Sequence, residues 1–275
     1  MTMKKLNQLL ERISYTCIQG SIDTEVTDIV NDSRKITPGC LFFCIPGAVT
    51  DGHKFAAQAA EQGAAVLVVS KEVEVPDSVT VIRVEDPRYA MALIAAAWYD
   101  YPAEQIPVIG VTGTKGKTTT TYMIKSILEH AGHQVGLIGT IETIIKEKKI
   151  PSSNTTPESV TVQKYLREMA VSSQGLRLHR TAGILFELGL FTNIEPDHIG
   201  PNEHASFEEY MECKGRLFRQ CKVGIVNVDD PHWKQVLEGH TCRLETVGFS
   251  PEASLRAENV HLVNGAGYLG VAYHV

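Results

Sequence analysis

Residues 107–121 read PVIGVTGTKGKTTTT, and the fold is decided there. The apolar, partly β-branched run Pro107–Val111 predicts a strand. Gly113-Thr114-Lys115-Gly116-Lys117-Thr118-Thr119 follows as a glycine-bearing loop, and a helix is predicted over Thr118 to His130, stopping at Ala131-Gly132-His133. QVGLIGT, residues 134–140, predicts the next strand and would complete a β-loop-α-β unit. A glycine loop between a strand and a helix turns backbone N–H groups and the helix N-terminus towards an anion. In that setting Lys117 is placed to reach the β and γ phosphates of a nucleotide, and the Thr118 hydroxyl to ligate magnesium. The eight-residue form of such loops needs a glycine at position 111, which is Val111 here, so the loop is a shortened variant. A glycine turn with surface lysines is the plain alternative, since GK[ST] recurs by chance. The flanking strand and the four threonines Thr118–Thr121 at the helix start decide for phosphate.

Outward from this loop, the preceding hundred residues alternate in the same manner. NDSRKITPGCLFFCIPG is turn-rich, HKFAAQAAEQGA is helical, and AAVLVVS and VTVIRV (79–84) are strand-like. A helix rich in alanine begins near Pro87 and stops before Pro102. A short amphipathic helix, not a secretion signal, is read near the start (LNQLLERI), and no run approaches membrane-spanning length. Beyond the loop come a polar insert (141–159), a helix around Val160 to Met169, the strand FELGLFTN, the loop IEPDHIGPNEHAS, the helix FEEYMECKGRLFRQC and the strand VGIVNVD. Two domains are therefore expected: a small N-terminal α/β domain over 1–103, and a P-loop-type central α/β domain over 107–275 with a mainly parallel sheet. The last stretch, LVNGAGYLGVAYHV, alternates like a strand and runs out uncapped, so the central domain reads as incomplete.

Composition narrows the functions. With 275 residues, 43% hydrophobic and 21% charged, the chain has material for a sizeable core and is not disordered. A net charge of -6 gives no footprint for duplex nucleic acid or an anionic membrane, so any anionic ligand must be held locally. Cys17, Cys40, Cys44, Cys213, Cys221 and Cys242 show no C-x-x-C spacing, which argues against a zinc module and a disulfide framework and fits a reducing cytoplasm.

Several separated stretches converge on one family: DSRKITPG, LFFCIPG and DGHKFAAQA, then VTGTKGKTTT, SNTTPES, VSSQGLRLHR, LFTNIEPDHIG and EEYMECKGRLF. Together they resemble the Mur ligases, most closely the UDP-N-acetylmuramoyl-tripeptide synthetase type, and an unrelated P-loop ATPase would carry none of the first-domain motifs. The resemblance implies an ATP- and Mg2+-dependent ligase of peptidoglycan synthesis, acting as a monomer on UDP-N-acetylmuramoyl-dipeptide and an amino acid, lysine or diaminopimelate. ATP is expected on Gly113, Thr114, Lys115, Gly116, Lys117, Thr118 and Thr119. Ser33 and Arg34 match the motif that contacts the uridine diphosphate end. Asn154, Thr155, Thr156, Ser172 and Arg180 match residues that hold the muramoyl-peptide, where an arginine fork suits carboxylate or phosphate. Lys214 matches a lysine that is carbamylated to become a magnesium ligand, and His198 matches a second metal contact. Taken without the family, Lys214 reads as an exposed helical lysine.

Two departures from the family stand out. Its acidic magnesium ligand ahead of the VSS segment is Ala170 here, and the helix-to-VSS spacing is short by roughly a dozen residues, about one loop and one strand. Glu168 would lie about 6.6 Å from position 170 only if that stretch were a strand. Family members also continue past the equivalent of Val275 into a third domain. Catalysis by this chain alone is therefore expected to fail, Lys214 is expected to be carbamylated in part or not at all, and a non-catalytic UDP-sugar- and nucleotide-binding fragment is the alternative reading.

Overall fold

The computed structural model describes residues 3–47, 50–152, 156–168, 182–197, 199–200, 204–265 and 268–275. The chain divides into two compact units. In the first, strands Ile29–Val30, Leu41–Phe43, Val66–Val69 and Thr80–Arg83 run parallel in that spatial order, and Thr16–Gln19 closes the far edge antiparallel. Both faces are covered, which is why these strands are continuous apolar runs. Leu41, Phe43, Val66, Val68 and Ile82 pack with Leu6, Leu9 and helix Pro87–Trp98, while Phe42, Leu67, Val69 and Val81 pack with Ala56 and Ala59 of helix Ala56–Glu61. Asp86 caps the Pro87 helix by accepting from Arg88 N–H at 2.8 Å and Tyr89 N–H at 3.2 Å.

The second unit is built on a five-stranded, all-parallel sheet ordered Leu255–Arg256, Arg243–Gly248, Cys221–Asn227, Phe186–Phe191, Ile109–Thr112. Gly189 pairs with Gly110 on one side and Gly224 on the other, so three glycines form a row across adjacent strands. The turn Arg216–Arg219 lies on that row. A Cβ at Gly110 would stand 2.7 Å from Leu217 Cδ1, one at Gly189 3.1 Å from Leu217 Cγ, and one at Gly224 2.7 Å from Phe218 Cδ1. The bare backbone thus lets helix Phe207–Gly215, which leads into this turn, settle close to the sheet. The chain closes with the antiparallel hairpin Glu258–Gly265 and Tyr268–His274.

Two expectations are corrected. Leu137–Ile138 does not return to the parallel sheet; it pairs antiparallel with Glu142–Ile145, which pairs in turn with Lys148–Pro151, so no simple β-loop-α-β unit closes beside the loop. Among the described residues Ile109–Thr112 is an edge strand, and the helix that follows the loop, Lys117–His130, has no buried residue. The second correction concerns helix Ser159–Glu168, expected in the 107–275 domain: it belongs to the first unit, where it packs along helix Pro87–Trp98 with Val162 and Leu166 buried. Glu168 therefore ends a helix in the unit that lacks the phosphate loop. Among the described residues no helix is long and apolar enough to cross a membrane, and all six cysteines are free thiols.

Candidate functional site

The loops at the carboxyl ends of three parallel strands meet in the second unit, the usual place for a ligand on such a sheet. Strand Ile109–Thr112 runs into Gly113 and Gly116, which hold φ of 139° and 82°, and helix Lys117–His130 starts directly after them. A Cβ on Gly113 would fall 2.1 Å from Thr192 Oγ1, so no other residue fits there without moving the neighbouring loop. That loop grips the first. Thr114 N–H donates to Asn193 O and Lys115 N–H to Asn193 Oδ1, both at 2.9 Å. Thr192 Oγ1 donates to Lys115 O at 2.8 Å. Asn227 Nδ2, at the end of the next strand, donates to Thr192 O at 2.8 Å, and Asp230 accepts from Ile194 N–H at 2.6 Å.

This bracing sorts the residues expected to meet phosphate. The N–H groups of Thr114 and Lys115 are spent on Asn193, and the Lys115 ammonium pairs with Glu195. The N–H groups of the first helical turn, from Lys117 through Thr119, have no partner further back in the helix and point out of its N-terminus. Lys117 Nζ reaches back to Gly113 O at 2.7 Å and Thr114 O at 2.8 Å, which holds its ammonium across the loop. A tight turn, a helix start and a cation at its mouth fit a nucleotide's phosphates.

Lys214 is not an exposed helical lysine. It lies on helix Phe207–Gly215, 6% exposed, with Nζ 4.7 Å from the ring centre of buried Tyr210, whose hydroxyl is 3.3 Å from Thr114 Oγ1. Burial first, then the charge of Lys117, pushes its pKa down to about 8, and Cys213 and then Asp197 partly oppose the shift. Burial also lowers Lys117, again opposed by Asp197. The structure therefore brings Lys117 and Lys214 into one electrostatic neighbourhood beside the loop, although they are 97 positions apart.

Ser33 and Arg34 lie in the first unit, in the turn Ser33–Lys35 capped by Asp32. Arg34 is turned onto Asp32, with Nε 2.9 Å from Oδ1 and Nη2 2.8 Å from Oδ2, and this pair holds the Asp32 carboxyl down at about 2. Thr156 is buried. Asn154, Thr155, Ser172, Arg180 and His198 lie outside the described residues, as do Ala170 and the short spacing ahead of Val171.

Sequence reasoning missed Thr192, Asn193 and Tyr210, although Thr192-Asn193 at the end of a predicted strand was a usable signal. It also missed an Asp-His-Ser set in the first unit. His53 Nδ1 lies 2.6 Å from Asp51 Oδ1, and Ser70 Oγ lies 3.4 Å from His53 Nε2. Because Nε2 already accepts the Ser70 backbone N–H at 3.0 Å, its lone pair is engaged and the set ties strand Val66–Val69 to the turn Gly52–Phe55 rather than activating a nucleophile.

Comparison with known proteins supplies the family. The Mur ligase middle domain matches residues 111–271, more than half of the chain, and the Mur ligase family catalytic domain matches 25–99. The chain belongs to the Mur ligase family. Among other Mur ligases, it is 41% identical over 279 residues to a UDP-N-acetylmuramoyl-L-alanyl-D-glutamate--2,6-diaminopimelate ligase of Clostridium acetobutylicum, covering 98% of this chain and 58% of that protein. It is 40% identical to the ligase of the same name from Clostridium botulinum, covering 94% of this chain and 55% of that one. A solved structure of a ligase of this name shares the fold with a TM-score of 0.77 at 22% identity, over 94% of this chain and 55% of that structure. The chain thus spans a little over half the length of the Mur ligases it matches.

Proposed function

We propose that this chain carries the substrate- and nucleotide-binding portion of an ATP-dependent ligase that adds diaminopimelate to UDP-N-acetylmuramoyl-L-alanyl-D-glutamate in the cytoplasm, in the service of cell-wall synthesis and so of cell shape and division. The single observation that supports it most is the convergence of Lys117 and buried Lys214 on the phosphate loop. Relatives at 36–41% identity that carry this ligase name support the choice of substrate and amino acid. In this reading residues 1–103 take the UDP-sugar through Ser33 and Arg34, and residues 107–275 take ATP. Asn154, Thr155, Thr156, Ser172 and Arg180 hold the muramoyl-peptide, and the chain acts as a monomer without nucleic acid or membrane.

In this reading the γ-phosphoryl group of ATP would pass to the substrate carboxylate with release of ADP, and the incoming amine would displace inorganic phosphate from the resulting acyl phosphate to form the amide. The protein's share is electrostatic. Lys117 and the N–H groups of Lys117–Thr119 would neutralise charge on the β and γ phosphates, while Thr118 and His198 would hold the metal. Lys214 joins them only as a carbamate, and a pKa of about 8 keeps a fraction of its amine neutral and nucleophilic towards CO2 near neutral pH. An ammonium is no ligand for Mg2+, and Ala170 offers no donor atom. The chain by itself is therefore expected to bind the UDP-sugar and MgATP and to form no tripeptide above the buffer rate, which is the reading of it as a binding fragment.

Calorimetric titration of the chain with MgATP, repeated with Lys117→Ala, tests the nucleotide site. Binding that weakens about 10- to 100-fold in the variant, the worth of a charge-assisted hydrogen bond, supports it. Equal affinity, or no binding by the unmodified chain, overturns it. Tripeptide formed from the UDP-sugar, diaminopimelate and MgATP would overturn the inactive reading alone.

A further inference from the structure

The helix that delivers Lys214 carries a second set of donor atoms, to which the nucleotide reading gives no role. Glu209 and Cys213 stand four positions apart on one face of helix Phe207–Gly215, and His204 precedes the Ser206 cap. One donor atom from each of these three residues lies within 4.8 Å of the other two. His204 Nδ1 is 3.8 Å from Glu209 Oε1. Each residue is held from outside the set. Gly200 N–H donates to His204 O at 3.1 Å, and the imidazole stands edge-on to Tyr210 with ring centres 4.9 Å apart. Glu209 Oε2 accepts the Ala205 N–H at 2.7 Å, and Cys213 is 3% exposed.

We propose that His204, Glu209 and Cys213 form a binding site for a zinc-class divalent transition ion, with a fourth coordination position left open. An imidazole, a carboxylate and a thiolate are the mixed donors such an ion takes, whereas Mg2+ asks for an all-oxygen shell. Tetrahedral bonds of about 2.0–2.3 Å place donors about 3.3–3.8 Å apart, so side-chain rotation of about 1 Å closes the observed set. On binding, the Cys213 Sγ–H bond breaks, its proton passes to solvent and a metal–sulfur bond forms, with no change of oxidation state. The absence of C-x-x-C spacing argues against a zinc module but not against a site assembled from one helix face and the loop before it. An ion here sits on the helix that positions both Tyr210 and Lys214.

The full chain, stripped of metal and free of nucleotide, is titrated with Co2+ as a spectroscopic probe. One equivalent bound with a thiolate-to-cobalt charge-transfer band, displaced by Zn2+ and not by millimolar Mg2+, is the expected result. Cys213→Ala is expected to lose the band, and both it and His204→Ala to weaken binding at least ~10-fold, since even outer-shell partners of a metal cost that much. Exposed Cys17 changed to serine is expected to leave band and affinity unchanged. No band in the unmodified chain, or the same band and affinity in Cys213→Ala, overturns the site. X-ray absorption of the zinc-loaded unmodified chain gives a check that needs no variant: one sulfur in the shell is expected, and an all-nitrogen-and-oxygen shell is the overturning result.

Discussion

Lys214 shows what burial does to a single charge. Well below pH 8 its amine is protonated in the folded and unfolded chains alike, so folding buries a cation beside Lys117 at full cost. Between about 8 and the ordinary lysine value of 10.5 the folded chain sheds the proton first, and stability gained at this position rises with pH; above 10.5 the cost is gone. Lys214→Met keeps the length and removes the charge. It is expected to raise stability at pH 7 by on the order of 3 kcal/mol and to flatten the rise between pH 8 and 10.5, as read by urea denaturation at pH 7 and pH 10. Parallel pH profiles for the two proteins would show that the buried amine is not the source of the cost. None of this was legible locally, because a lysine in FEEYMECKGRLF has the spacing of any solvated helical lysine. Only the packing of that helix against the phosphate loop, where its Tyr210 meets Thr114, leaves Lys214 buried.

At the scale of elements, the glycines Gly110, Gly189 and Gly224 read singly as weak points in strands. In register they become a flat strip on which Leu217 and Phe218 rest, and that contact sets the height of the helix carrying Lys214 above the sheet. Gly189→Ala is expected to cost about 1–3 kcal/mol, since its Cβ would meet Cys221 Sγ at 2.9 Å and Leu217 Cγ at 3.1 Å. Denaturant midpoints measure the loss, and the same variant is expected to weaken MgATP binding by displacing the helix; a destabilised variant with unchanged affinity would uncouple the strip from the site. The P-loop strand and helix, by contrast, were legible within a residue or two, because a strand, a glycine loop and a helix cap are written in consecutive residues. The return strand was not. QVGLIGT has the apolar content of a parallel strand, and only its pairing with Glu142–Ile145 reveals an antiparallel one.

For the whole molecule, the division into two units does not follow the chain in one cut. Helix Ser159–Glu168 comes after the phosphate loop in sequence and packs in the first unit. Leu166→Ala, at a site 2% exposed, is expected to cost about 2–5 kcal/mol and to raise amide hydrogen exchange across helix Pro87–Trp98 while leaving strand Cys221–Asn227 protected. Loss of protection in Cys221–Asn227 to the same degree would mean the two units unfold as one. The sequence by itself determined the α/β class, the parallel core, the phosphate loop and the Mur ligase resemblance, because hydrophobic period, turn residues and motif order are local properties of the chain. Tertiary structure alone decided that Lys214 is buried beside Lys117, that Asn193 consumes two of the loop's amides, that three glycines align, and that His204, Glu209 and Cys213 share a site. Each of these depends on groups distant in sequence arriving at one place, where burial and neighbouring charge, rather than residue type, set their chemistry.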